Sequence, residues 1–128
     1  MVNTIILERI DASGIRIFKS FSKVKEFYDK PRNEILKAIR NYDIVVIKST
    51  VKINDEFLNH SNKIKVVARA GTGLDNIDQK LLRKKNIKLF SVPKGNSIAT
   101  AEYIICMILF LTKKINLIQS MVKNNDFS

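Results

Sequence analysis

The stretch Ala70-Gly71-Thr72-Gly73-Leu74-Asp75-Asn76 is the first place where residue types and spacing point to chemistry. Two glycines flank a hydroxyl, and glycine lets a backbone come close to a bound group. Successive N–H groups in such a turn can cradle an anion. A dinucleotide fingerprint would put a third glycine where Asn76 stands, and it would follow the first strand of its unit. No Gly-Lys-Ser/Thr of phosphate-loop type is present. Two readings stay open: a turn whose amides face a ligand, or a plain strand-to-helix turn shaped by its glycines.

Two other short segments carry similar potential. Lys48-Ser49-Thr50 brings a cation and hydroxyls, and Pro93 to Ser97 brings the amide of Asn96. With the backbone N–H groups around Gly71 and Gly73 and the hydroxyl of Thr72, they form an inventory for holding a small anion.

The elements that must position these residues alternate in type. Asn3–Leu7, Val24–Tyr28, Asp43–Ser49, Lys65–Ala70 and Ile87–Val92 read as strands. The β-branched run from Asp43 to Ser49 has the density of a strand buried on both faces. Helical segments fall between them: Asp11–Phe21, one opened at its first turn by Pro31, Asn54–His60 with Asn54 as its cap, and Asp78–Lys85. In the second, Ile35, Leu36 and Ile39 make one apolar face. A long helix is expected from about Ile98 to Val122. This order predicts an α/β, flavodoxin-like, doubly wound parallel sheet of five strands, ending in a long interdomain helix. In such folds ligands sit at the carboxyl ends of the strands, and all three loops leave those ends.

Bulk properties narrow the function classes. The net charge is +11 with a pI near 9.9, but only Arg83-Lys84-Lys85 forms a basic run. The lysines are spread along the chain without an aromatic-interleaved face, so the charge predicts no nucleic-acid partner. One cysteine, Cys106, sits in an apolar run and reads as a small buried residue. A single cysteine makes no intrachain disulfide and suits the cytoplasm. The N-terminus has no signal-peptide pattern, and Tyr103–Leu111 is short of the roughly 20 residues a bilayer span needs, so no membrane partner is expected. The only histidine, His60, is expected on the surface of its helix, away from the three loops. Ala101, Ile104, Ile105, Ile108, Leu109 and Leu111 leave the last helix almost no polar face, which predicts that it is covered or self-associates.

Val66 to Asp78 closely resembles the signature stretch of the D-isomer-specific 2-hydroxyacid dehydrogenases, in particular their phosphoglycerate dehydrogenase branch. Val92-Pro93-Lys94-Gly95-Asn96-Ser97 with Ala101-Glu102 resembles the next block of that family. Ile47-Lys48-Ser49-Thr50 stands where the family has a strand ending in Arg-Ser. The resemblance runs over nearly the whole chain, with the blocks in matching order. It implies a substrate-binding domain over residues 1–97 and a crossover helix over 98–128, leading toward a Rossmann domain that holds NAD. It implies hydride transfer between NAD and C2 of a small 2-hydroxy or 2-oxo acid. Gly71, Thr72 and Gly73 would then hold the substrate carboxylate, with Thr72 also approaching the nicotinamide. Asn96 would hydrogen-bond the substrate, and Lys48 and Ser49 would bind its anionic groups. Homo-oligomer contacts would run through the last helix and the cofactor domain. One departure is plain: Lys48 keeps the charge of the family's arginine but not its bidentate fork. The family's glycine fingerprint and its catalytic Arg, Glu and His have no counterpart in these 128 residues, so the chain alone is expected to be inactive, with no metal involved. A non-catalytic small-anion-binding module of the same fold is the alternative expectation.

Overall fold

The computed structural model describes residues 1–126, which form two units, residues 1–95 and 96 onward. The first unit is a parallel sheet. Its strands are β1 Asn3–Ile6, β2 Lys23–Glu26, β3 Ile44–Ile47, β4 Val66–Arg69 and β5 Lys88–Phe90, in the order β2-β1-β3-β4-β5. Every pairing is parallel. This is the flavodoxin-like order, and the strand sequence reverses between β1 and β3.

Helices α1 Ala12–Phe21, α2 Arg32–Ala38, α3 Asp55–Asn59 and α4 Gln79–Lys84 connect the strands. Their starts follow local chemistry. Asp11, Asn54 and Asp78 each cap a helix by accepting a backbone N–H, from Ser13, Phe57 and Leu81 respectively. Pro31 differs from the sequence expectation by one position. It is the cap residue of α2, with an extended backbone, and the helix begins at Arg32. Its fixed φ of −63° suits that role, and the carbonyl it offers accepts from Glu34 and Ile35.

The core lies on one face of the sheet. Ile5, Leu7, Val45, Ile47 and Val67 pack with Ile35, Leu36 and Ile39 of α2 and the turn after it, Phe57 and Leu58 of α3, and Leu82 of α4. The opposite face carries Ile6 and Val46, both buried; Val46 lines a cleft with Gly14 and Phe18 of α1, a helix with no buried residue of its own. Thr4 and Ser22 share a 2.7 Å hydrogen bond between their buried hydroxyls. Ser22 Oγ also reaches the Phe18 carbonyl at 2.8 Å. Edge strand β2 is mostly exposed and lysine-bearing, which keeps its open side from pairing with another chain.

The second unit holds α5 Ser97–Thr112 and α6 Ile115–Lys123. The long terminal helix is present but stops ten residues sooner than its apolar pattern suggests. Lys113 N–H still bonds to the Leu109 carbonyl, and then Lys114 turns left-handed at φ 49°. Neither glycine nor proline marks that break. No residue of α5 is buried, and Ile104, Ile105 and Ile108 are each more than half exposed. Cys106 is exposed with them, so the expectation of a buried thiol does not hold. No helix among the described residues is long and apolar enough to cross a membrane.

Candidate functional site

The loops after β1, β3 and β4 meet at the carboxyl edge of the first unit. Register places them. Ile47 is level with Arg69 across β3 and β4, and Ile6 is level with Val46 across β1 and β3. The chain leaving β1 therefore passes beside Lys48, and the chain leaving β4 passes beside it on the other side. Ala70 N–H bonds to the Ile47 carbonyl at 2.9 Å, which starts the glycine loop level with the end of β3.

Asn76 stands where a third glycine would be, and it joins the two loops. Its Nδ2 donates to the carbonyls of Val51 at 2.7 Å and Lys48 at 3.2 Å. Its Oδ1 accepts from Arg69 Nε at 3.1 Å. Its own carbonyl takes the Ile53 N–H at 2.8 Å, beside a parallel bridge between Ile53 and Ile77. The side chain works as a clamp between loops, a role a glycine cannot fill.

Arg69 explains the glycines. It ends β4 and is buried at 9% exposure. A Cβ on Gly71 would come within 3.0 Å of Arg69 Nη1, and one on Gly73 within 3.1 Å of Asp75 Oδ2 and 3.6 Å of Arg69 Nη2. No glycine has a positive φ. A side chain at either position would therefore press on these groups, which would have to give by a few tenths of an ångström, while backbone conformation makes no demand for glycine. The expected set of ligand-facing amides is also smaller than the sequence suggested. Gly71 N–H is turned back to the Arg69 carbonyl at 2.9 Å, and its carbonyl accepts from Val92 at 3.1 Å.

The loop after β3 holds a feature that sequence reasoning missed. The N–H groups of Lys48, Ser49, Thr50 and Val51 all point to one carboxylate, that of Glu8, at 2.7, 3.1, 3.0 and 3.2 Å. Burial pulls the Glu8 carboxyl upward, but the backbone N–H groups of Thr50, Lys48 and Val51 outweigh it and hold it below its ordinary value. The side chains of Lys48 and Ser49 remain exposed. Among the described residues, no carboxylate lies within salt-bridge distance of the Lys48 ammonium. A cleft of about 330 Å³ opens beside the loop, lined by Glu8, Arg9, Asp29, Lys30, Lys48 and Ser49 among others. Arg9 and Asp29 pair across it at 2.8 Å.

The sequence-predicted residues therefore divide. Lys48, Ser49, Gly71, Thr72 and Gly73 share the carboxyl edge of the first unit. Asn96 belongs to the second unit, where it precedes α5 and accepts the Thr100 N–H through its carbonyl. His60 lies at the end of α3 with Nδ1 2.7 Å from the Glu56 carbonyl, in no loop of this edge. Among the described residues no group of three His, Cys, Asp or Glu is placed to hold a metal ion.

Residues 4–123 match the model of the D-isomer-specific 2-hydroxyacid dehydrogenase catalytic domain. This chain belongs to that family. A curated relative, the D-3-phosphoglycerate dehydrogenase of Synechocystis sp., is 29% identical over 127 residues, which is 99% of this chain and 23% of that protein. Solved structures with the same fold include an NAD⁺-bound 3-phosphoglycerate dehydrogenase from Entamoeba histolytica (TM-score 0.72, 24% identity, covering 85% of this chain and 38% of that one). Another is a D-lactate dehydrogenase from Aquifex aeolicus complexed with NAD and lactic acid (TM-score 0.77, 23% identity, covering 98% and 38%). The chain spans under a quarter of the length of the curated relatives it matches. Two of the three missed residues, Arg69 and Asn76, lay inside the stretch that carried the resemblance. Glu8 gave no local signal, because its partners are 40 to 43 residues away.

Proposed function

We propose that these residues are the substrate-binding portion of an NAD-dependent D-2-hydroxyacid dehydrogenase of the phosphoglycerate dehydrogenase kind. The observation that carries the reading is the juxtaposition of an unpaired, exposed Lys48 with the clamped glycine loop at the strand ends of a family member. In this reading residues 1–97 hold the substrate, and residues 98–128 lead toward the part of the enzyme that binds most of the NAD. Gly71, Thr72 and Gly73 line the place of the substrate carboxylate, and Thr72 also borders the nicotinamide. Lys48 and Ser49 meet the substrate's anionic groups, and Asn96 hydrogen-bonds it. No residue among the 128 is assigned the acid–base step, so hydride transfer needs groups supplied elsewhere in the complete enzyme. The exposed apolar face of α5 fits a surface that pairs copies of the enzyme.

The test uses the complete dehydrogenase built on this chain. Asn96→Ala is expected to raise KM for the 2-oxo acid about tenfold, the size of one lost hydrogen bond to a charged group, and to leave NADH binding nearly unchanged. Equal loss of both would remove Asn96 from the substrate site. Lys48→Arg is expected to favour phosphorylated over unphosphorylated substrates, because the fork geometry returns. If the 128-residue chain binds small acids but no cofactor-dependent activity exists in the complete protein, a non-catalytic anion-binding module is the better description.

A further inference from the structure

The loop after β3 lies at the point where the strand order reverses, which is where doubly wound folds receive ligands. Four successive N–H groups converge there, and convergent amides of this kind are built to receive an anion. In this chain the anion is already present. Both oxygens of Glu8 are used: Oε2 by Lys48 and Val51, Oε1 by Ser49 and Thr50. A bound substrate cannot take the same four donors.

We propose that Glu8 is a positioning residue for the substrate site: its carboxylate fills the backbone nest of Lys48 to Val51 and so directs recognition to the side chains of Lys48 and Ser49. The proposal rests on the substrate role given above to those two side chains. It follows from geometry and charge. Four bonds to one carboxylate hold the backbone of the loop, and the backbone at 48 and 49 sets where the ammonium and hydroxyl project. The same carboxylate places a negative charge beside the cleft. An incoming anion is therefore held off the backbone and must approach from the side-chain face. Asn76 secures the other side of the loop through the carbonyls of Lys48 and Val51, so its donors and its acceptors are both tied down.

The test uses the 128-residue chain labelled with ¹⁵N. Glu8→Ala is expected to shift the amide signals of Lys48, Ser49, Thr50 and Val51 and to speed their hydrogen exchange about tenfold or more. Sodium formate, compared with sodium chloride at the same ionic strength, should return those four signals toward their wild-type positions with a saturating dependence. Glu8→Asp, whose carboxylate is one methylene shorter, should recover part of the effect, and Glu8→Gln less, since its NH₂ cannot accept. If Glu8→Ala fails to fold, refolding in formate but not chloride supports the proposal, and wild-type amide signals in Glu8→Gln overturn it. Unchanged amides in Glu8→Ala, or changed amides that ignore formate, also overturn it. A separate titration of the wild-type chain with 3-phospho-D-glycerate and with D-lactate reads the signals of Lys48 and Ser49. Absence of any shift there, with formate rescue intact, would remove the substrate reading and leave Glu8 as the anion of the nest.

Discussion

Replacing Asn76 with alanine removes three hydrogen bonds at once, and their sum can be worked out from the site. The two Nδ2 donations, to Val51 and Lys48 at 2.7 and 3.2 Å, are neutral bonds worth about 1 kcal/mol each. The bond from Arg69 Nε involves a charged donor and is worth about 1.5–3 kcal/mol where water cannot replace the partner. Arg69 is buried, so its Nε would be left short of a partner, whereas the carbonyls of the half-buried loop regain water in part. We therefore expect Asn76→Ala to cost about 2–4 kcal/mol. For a unit of this size that lowers Tm by roughly 10–20 °C. The assay is urea and thermal unfolding of the chain followed by far-UV circular dichroism, with the m-value compared to confirm that the same surface is exposed. Asn76→Asp separates the two halves of the clamp. It keeps an acceptor for Arg69 but sets a carboxylate oxygen against two carbonyls, so it should also destabilise. A loss under about 0.5 kcal/mol for Asn76→Ala, the range of an ordinary surface change, would refute the clamp.

Gly71→Ala should cost about 1–3 kcal/mol, because its Cβ meets a buried guanidinium at 3.0 Å, whereas Gly73→Ala meets mainly the exposed Asp75 and should cost less; unfolding curves for the pair decide the order. Phe57→Ala empties a fully buried position and should cost about 3–5 kcal/mol by the same measurement. Glu8 makes stability depend on acid. Its folded pKa lies below the ordinary 4.5, so its contribution is present above that value and fades as pH falls through the folded pKa. Glu8→Gln should therefore flatten the decline of stability below about pH 4.5, and an unchanged pH profile would count against the nest as a source of stability.

Much of the fold was legible along the chain. Alternation of short apolar runs with helical segments is a local property, and the cap read at Asn54 acts on an N–H three residues away, while Asp11 and Asp78, read as the first helical residues, are the caps one position before α1 and α4. The dense run around Val45 announced a central strand because burial on both faces leaves no room for polar alternation. The strand order β2-β1-β3-β4-β5 is the one that a flavodoxin-like sheet implies. The end of the terminal helix was not legible, since Lys114 carries no helix-breaking chemistry of its own.

The site divides along the same line. Sequence alone determined that Lys48, Ser49, Gly71, Thr72 and Gly73 stand at strand ends, because strand ends are set by local pattern. Tertiary structure decided what those residues can offer. The amides of residues 48–51 proved committed to Glu8, the glycines proved to lie close against the side chains of Arg69 and Asp75, and Asn76 proved to hold two loops together. Each of these depends on side chains distant in sequence or folded back over their own loop. Hydrogen bonds and close packing act over about 3 Å in space, and no pattern along the chain encodes which groups will arrive within that distance.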